Sequence, residues 1–128
     1  MAAAVLLAPM GCSFGADDEP RPASGAAKAI AATVDQLGRA VADRDFETVC
    51  DKLFTASARR RAGGSECADQ LDSAAEGVRE PKIEVRGIDV KGDRATVRVS
   101  TSAVGQARVG DTLELRREGG RWLVEALS

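Results

Sequence analysis

The chain has 128 residues, enough for one domain with a modest core but too few for two such domains. Its 18 basic and 20 acidic residues leave a formal charge of -2, without the basic excess that is typical of nucleic-acid-binding proteins. The sequence contains no His and no Tyr. It therefore lacks the commonest general base at neutral pH, imidazole metal ligands and a phenol for an oxyanion hole. These absences argue against most enzymatic and metal-binding classes.

Residues 1–12 form an apolar segment that ends at Cys12 and resembles the end of a bacterial lipoprotein signal peptide. The match is partial, because Pro9 and Met10 stand where such peptides carry a leucine and a small residue, and no basic residue precedes the apolar run. The run is also too short to span a bilayer as a helix. We expect Cys12 to be the lipid-attachment residue. Ordinary secretion with cleavage near Gly15, or a disordered start, are the alternatives.

Residues 13–25 are rich in Pro, Gly, Ser and acidic residues, with little to bury, which is typical of a flexible tether. The domain organisation that we predict is a signal segment at 1–12, a tether at 13–25 and one folded domain at 26–128. The expected location is the outer face of the cytoplasmic membrane, held there by the lipid anchor, with free secretion as the alternative.

Helical periodicity dominates the first half of the folded domain, where the apolar residues predict three amphipathic helices. The first carries Ile30, Val34, Leu37 and Val41. The second begins at an N-cap, Asp45, buries Phe46, Val49, Cys50, Leu53 and Phe54, and ends at the basic run 59–61. Gly63 and Gly64 then break the helix, and Ser65 caps a third whose apolar face is Cys67, Leu71, Ala74, Ala75 and Val78.

After Pro81 the apolar period changes to two, which indicates β-strands. We predict a bulge at Gly87, a tight turn at 91–93, a loop from about Val104 to Gly110 and a last hairpin turn at 118–121. The fold class is therefore α+β, with three N-terminal helices packed on a curved antiparallel sheet of about four strands.

Two of the three cysteines, Cys50 and Cys67, fall on consecutive predicted helices on either side of the glycine turn. A structural disulfide is the favoured interpretation and would fit an oxidising compartment. Two buried free thiols, or a redox or metal role, are the alternatives, although no His is present to complete a zinc site.

The charged groups favour no particular chemistry. The basic run 59–61 is interpreted as a solvated helix end, with contact to anionic lipid or another polyanion as the alternative. The carboxylate pairs are interpreted as surface charges, with no residue assigned as catalytic. These pairs are Asp17-Asp18-Glu19, Asp69 with Asp72, and Asp89 with Asp93.

The order of elements resembles the NTF2-like superfamily, in particular small exported NTF2-like lipoproteins of actinobacteria. The resemblance covers about residues 25–128. It rests on AVADRDFETVCDKL, GGSEC, GDRATVRV and LRREGGRWLVEAL. It implies a cone-shaped α+β fold with a pocket between the concave sheet and the helices. The superfamily's enzymes use Asp with Tyr, or His with Asp, inside the cone, so their catalytic residues have no counterpart in this chain.

The expected function is a non-enzymatic accessory or interaction module of the cell envelope, without cofactor or metal. Its expected partners are the membrane, through the lipid anchor, and an envelope protein; no nucleic acid is expected, and a homodimer through the sheet face is an option. The alternative function is a carrier or sensor of a small apolar ligand. Five residues would then line the pocket: Phe46, Phe54, Val97, Leu115 and Trp122. The alternative is that the same residues fill the core, and because the chain has only four Phe and Trp side chains, a filled core is the favoured interpretation.

Overall fold

The computed structural model describes residues 25–128. The signal segment 1–12 with Cys12, the acidic group at 17–19 and residues 13–24 of the tether lie outside the described residues. Within the described part, four α-helical segments precede four β-strands. The predicted α+β class is therefore confirmed. None of the helices within 25–128 combines the length and the hydropathy that a bilayer-spanning segment requires.

Helix α1 (Gly25–Ala42) lies across the sheet and buries one face. Its deepest side chains are Ile30 and Val34, which are 0% and 1% exposed. Thr33 is buried on the same helix and donates a hydrogen bond to the carbonyl of Trp122 at 2.9 Å. A buried polar group needs such a partner, so this bond fixes the helix against the last strand at a defined register.

The second predicted helix is wrong in its extent. Helix α2 (Phe46–Thr48) is capped by Asp45, which accepts from the Thr48 amide at 3.3 Å, so the predicted N-cap is confirmed. The chain then widens into a π-helical turn (Val49–Leu53) and leaves the helix at Phe54. The Thr55 amide donates to the Val124 carbonyl at 2.9 Å, which ties this break to the last strand.

A separate helix, α3 (Ala56–Arg61), follows the break. The Thr55 hydroxyl accepts from the Ala58 amide at 3.0 Å and so caps the new helix. The apolar residues at 46, 49, 50, 53 and 54 fit one long helix as well as an interrupted one. The pattern of apolar and polar residues therefore does not reveal the break. Threonine is a favoured N-cap residue and was the available signal for a new start.

The third predicted helix also differs in detail. A 3₁₀ turn (Gly64–Glu66) leads into helix α4 (Cys67–Ala74), so Ser65 lies inside the turn and does not cap the helix. Val78 lies beyond the end of α4. The glycines allow the tight turn, since Gly63 has a φ of 122° that side-chain-bearing residues rarely adopt.

The sheet is an antiparallel meander in the order β1-β2-β3-β4. Its strands are β1 (Lys82–Lys91), β2 (Arg94–Ala103), β3 (Gln106–Glu118) and β4 (Arg121–Leu127). The predicted bulge at Gly87 is confirmed by a register shift between Val85 and Gly87. Two further shifts lie between Thr101 and Ala103 and between Glu114 and Leu115. Bulges bend and twist a sheet, and here they occur in a sheet that packs against the helices.

Both predicted hairpin turns are present. Lys91 pairs with Arg94, and Glu118 pairs with Arg121 around Gly119 and Gly120, which both have positive φ. The predicted loop at 104–110 is wrong, because β3 already begins at Gln106. Val109 in this stretch is 51% exposed. Without one buried face, the segment lacks the clear alternation that makes a strand recognisable in a sequence.

Candidate functional site

The cysteine pair is a disulfide, as predicted. The two sulfur atoms of Cys50 and Cys67 are 1.95 Å apart, and the bond joins the π-helical turn to the start of α4. The two residues are 3% and 1% exposed. Because the bond is buried and both thiols are consumed, it acts on the stability of the domain and offers no accessible nucleophile.

The basic run occupies the last turn of α3, where cations complement the helix dipole. Arg59 forms an ion pair with Asp51 at 3.2 Å. Arg61 donates to the Ser57 hydroxyl at 2.6 Å and to the main-chain carbonyl of Glu125 on β4. At least these two arginines therefore have contacts within the domain, which favours the interpretation as a helix end.

The predicted carboxylate pairs do not assemble into a reactive site. Asp72 accepts from Arg44 at 2.8 Å, and Asp93 accepts from Arg117 at 2.7 Å. Asp69 and Asp89, the other members of these two carboxylate pairs, are exposed. Within residues 25–128, no group of three or more Cys, Asp and Glu side chains is arranged to hold a metal ion.

An open apolar pocket lies between the inner face of the sheet and the helices, with a volume of about 340 Å³. One wall comes from α1, from α2 with the π-helical turn that follows it, and from α4; strands β1 to β4 supply the other. Every lining residue except Thr101 is apolar. The lining consists of Leu37, Val41, Phe46, Val49, Phe54, Leu71, Ala74, Ala75, Val78, Ile83, Val99, Thr101, Leu113 and Leu127.

The five residues predicted to line a pocket or fill the core occupy both positions. Phe46 and Phe54 line the pocket; Phe46 is also buried in the core cluster, and Phe54 packs against that cluster. Val97, Leu115 and Trp122 belong to the packed core and are 0%, 1% and 5% exposed. The core thus fills one part of the space between helices and sheet, and the two phenylalanines stand where that filling stops.

The interrupted second helix explains the position of Phe54. A π-helical turn contains one more residue per hydrogen-bonded ring than an α-helical turn, and such turns often occur at functional sites. Phe54 then takes an extended conformation and forms a bridge with Val124. Val49, at the start of the π turn, lines the same pocket. The local helix irregularity therefore shapes one end of the pocket.

The polar residues at the pocket were missed from the sequence. Thr101 lines the pocket and donates to Asp111 at 3.1 Å. Asp111 lies opposite Val99, a pocket residue, in the pairing of β2 with β3. The spacing of Asp111, Leu113 and Leu115 could have indicated the position of Asp111. If the strand begins before residue 111, these three residues lie on one face of it.

A larger concavity, of about 600 Å³, has a different character. Its charged lining residues comprise three bases and three acids: Lys91, Arg94, Arg116, Asp89, Glu114 and Glu125. The charges cancel, and most of these side chains are exposed. Volume alone would favour this site, but apolar and concave surroundings with a few polar groups are what ligand sites in proteins share. The smaller apolar pocket is therefore the candidate site.

The helices packed on a four-stranded antiparallel sheet form an NTF2-like α+β fold. The structure is similar to an NTF-2-like protein of unknown function from Silicibacter pomeroyi, with 22% identity and a TM-score of 0.58; the match covers 78% of this chain and 90% of that one. An NTF2-like protein of unknown function from Shewanella baltica matches with 15% identity and a TM-score of 0.56, covering 84% and 98%.

A third solved structure, of a SEC-C motif containing protein from Rhodopseudomonas palustris, matches with 19% identity and a TM-score of 0.53, and covers 70% of each chain. No family model matches the sequence, and no curated protein matches it. At these identities the solved structures establish the NTF2-like fold and carry no activity over to this chain.

Proposed function

We propose that this protein is a non-enzymatic, extracytoplasmic binding module that is lipid-anchored through Cys12 and holds a small apolar molecule in the pocket between helices and sheet. The observation that carries the proposal is the composition of the pocket wall, in which Thr101 is the one polar member. A pocket of about 340 Å³ lies at the lower end of the range for small-molecule sites. Among the two functions expected from the sequence, this pocket favours ligand binding.

The assignment as a non-enzyme is supported by the chemistry that the chain lacks. No His or Tyr occurs in the sequence, and the pocket wall contains no charged residue. Acid–base catalysis requires a titratable group within hydrogen-bond reach of the reacting atom. Asp111 lies beside the wall, and its hydrogen bond from Thr101 gives it a role in positioning a polar group.

The extracytoplasmic location is supported by the buried disulfide, since such bonds persist in oxidising compartments and are rare in the cytosol. The apolar segment before Cys12 supports a lipid anchor in the same compartment. In cells treated with an inhibitor of lipoprotein signal peptidase, we expect a precursor of higher mass to accumulate. The Cys12→Ser variant should lose the lipid and leave the membrane fraction. An unchanged mass in the inhibitor experiment, together with a variant that stays in the membrane fraction, contradicts the anchor.

Octanol is a suitable probe for the apolar pocket because it carries an apolar chain and no charge. In a titration of the full chain followed by NMR, we expect the amide signals of Val99 and Leu113 to shift on binding. The Leu71→Arg variant should lose this binding, because it introduces a charge into the wall on α4.

Val104→Arg is the matched control, since Val104 is 54% exposed and lies outside the pocket. Octanol binding that survives Leu71→Arg, or that is lost equally in both variants, contradicts the proposed site. Circular dichroism of both variants verifies that they remain folded.

A protein partner is the second candidate function, and exposed apolar side chains favour it. Val104, Val109 and Leu127 are 54%, 51% and 63% exposed. Large exposed apolar patches mark interaction sites on soluble proteins. If the protein binds a partner, cross-linkers placed at these three positions in the native envelope should all capture the same protein. Octanol should reduce the cross-linking only at Leu127, because Leu127 also lines the pocket.

A further inference from the structure

We propose that Asp111 and Thr101 form the polar end of the apolar pocket and select a ligand that carries a protonated amino group on its apolar body. The inference rests on the proposed binding function and adds the chemical class of the ligand. It starts from the pairing of β2 with β3, where Val99 lies opposite Asp111 and Thr101 lies opposite Val109.

Asp111 belongs to the same face of the sheet as the pocket wall. Residues two apart on a strand point to the same side, so Asp111 shares its face with Leu113, and paired residues share a face across strands, so it also shares one with Val99. Both of these neighbours line the pocket. The Thr101 hydroxyl, itself part of the wall, lies 3.1 Å from Oδ2 of Asp111. The carboxylate is therefore at the edge of the apolar surface.

The negative charge of Asp111 is not neutralised within the domain. Among residues 25–128 the side chain of Asp111 accepts one hydrogen bond, from Thr101, and forms no ion pair. Several other carboxylates of the domain do have an arginine partner, as Asp72 has in Arg44 at 2.8 Å and Asp93 has in Arg117 at 2.7 Å. Asp111 thus keeps one carboxylate oxygen available for a group from outside.

The chemistry of this end selects hydrogen-bond donors. An ionised carboxylate only accepts hydrogen bonds, and the single hydroxyl hydrogen of Thr101 is already directed at Asp111 or, at 3.4 Å, at the Val109 carbonyl. A ligand amine would donate to Asp111 with the added attraction of opposite charges, which makes such bonds stronger than neutral ones. An alcohol offers a donor without the charge, and a carboxylate ligand would be repelled.

Lys82 is the cation to consider as a competitor. It lines a smaller neighbouring cavity of about 240 Å³ that shares Thr101 with the apolar pocket. It lies opposite Ser102 on β2, one residue out of phase with Ile83 on the inner face, and forms no ion pair with Asp111. If Lys82 and not Asp111 determined the ligand charge, the site would prefer a carboxylate.

The test uses three probes of equal chain length on the full chain with its disulfide intact: octylammonium, octanol and octanoate. Affinities are measured by calorimetry, and the site is located by the NMR shifts of Thr101 and Leu113. We expect octylammonium to bind on the order of fivefold more tightly than octanol, because Asp111 is partly exposed to solvent, and octanoate to bind more weakly than both. The preference for the amine should decrease as salt is raised.

Asp111→Asn removes the charge and keeps an oxygen that can accept from Thr101, so octylammonium and octanol should bind equally to this variant. Asp89→Asn is the control, because it makes the same change on an exposed strand residue outside the pocket wall, and it should keep the preference. The comparison of probes on the unchanged protein remains decisive even if a variant fails to fold.

The outcomes separate the two proposals. If no probe binds, the proposed apolar binding function is wrong. If octanol binds and octylammonium shows no advantage, or if Asp111→Asn folds and keeps the advantage, the binding function stands and the role of Asp111 is wrong. Preferred binding of octanoate overturns the inference in favour of Lys82.

Discussion

At the scale of single residues, two leucines on the inner face of the sheet differ strongly in burial. Leu115 on β3 is 1% exposed, and Leu127 on β4 is 63% exposed. Leu115 packs in the core, whereas Leu127 lines the open pocket. The same residue type therefore stabilises the fold at one position and forms the candidate binding surface at the other.

This difference predicts that the same substitution lowers stability at one position and weakens ligand binding at the other. Leu115→Ala should lower the free energy of unfolding by about 3 kcal/mol, because it removes buried methyl groups and leaves a cavity. Leu127→Ala should change it by less than about 0.5 kcal/mol, as exposed substitutions usually do, and should weaken octanol binding. Urea unfolding and NMR titration measure the two effects. Equal destabilisation by both variants would contradict this division of the face.

The sequence predicted residue burial well where the period was strong. Trp122, expected in the core, is 5% exposed and has the guanidinium of Arg117 5.9 Å from its ring centre. It did not predict the position of Asp111 beside the pocket, because the residues before Asp111 show no clear alternation and are predicted as a loop. The apolar periodicity also did not predict whether Phe46 and Phe54 fill the core or line a pocket, because periodicity indicates only the face of an element on which a side chain lies.

At the scale of elements, the helix-turn-helix connection at Gly63 and Gly64 depends on backbone conformations that glycine adopts without strain. Gly63 has a φ of 122°, and a Cβ there would lie 3.0 Å from Cγ of Gln70 and 3.2 Å from the carbonyl carbon of Glu66. Gly64 has a φ of 61° and open space around its Cα hydrogens. The two neighbours thus differ in both strain and packing.

Gly63→Ala should lower the free energy of unfolding by about 2 kcal/mol, through backbone strain and close contacts. Gly64→Ala should cost about 1 kcal/mol, since the left-handed region is only moderately unfavourable for alanine and nothing is in contact. Chemical denaturation of both variants with the disulfide intact measures the difference. A larger effect at Gly64 would show that the turn has another conformation.

At the scale of the whole molecule, the disulfide joins two segments of the helical layer, whereas the sheet is a continuous antiparallel meander held by hydrogen bonds between neighbouring strands. The cysteines are 17 positions apart, a loop size for which cross-linking stabilises a protein by about 3 kcal/mol in the chain-entropy model. A domain of roughly a hundred residues has little stability to spare, so the bond contributes a substantial part of its stability.

Replacing Cys50 and Cys67 together by alanine should therefore lower the free energy of unfolding by about 3 kcal/mol. A reducing agent should destabilise the unchanged protein by a similar amount and leave the double variant unaffected. Cys12→Ser is the control for a thiol change outside the described domain. Stability that does not respond to reduction would contradict a structural role for the bond.

The sequence alone determined the class of fold, the change from helices to strands at Pro81, the disulfide and the two hairpin turns, because each depends on local periodicity, local backbone preference or a short span of chain. Only the tertiary structure decided where the second helix breaks, where the core stops and the pocket begins, and that Asp111 stands beside Thr101. Those features depend on which strand or helix lies opposite, and that information is distributed over residues far apart in the chain.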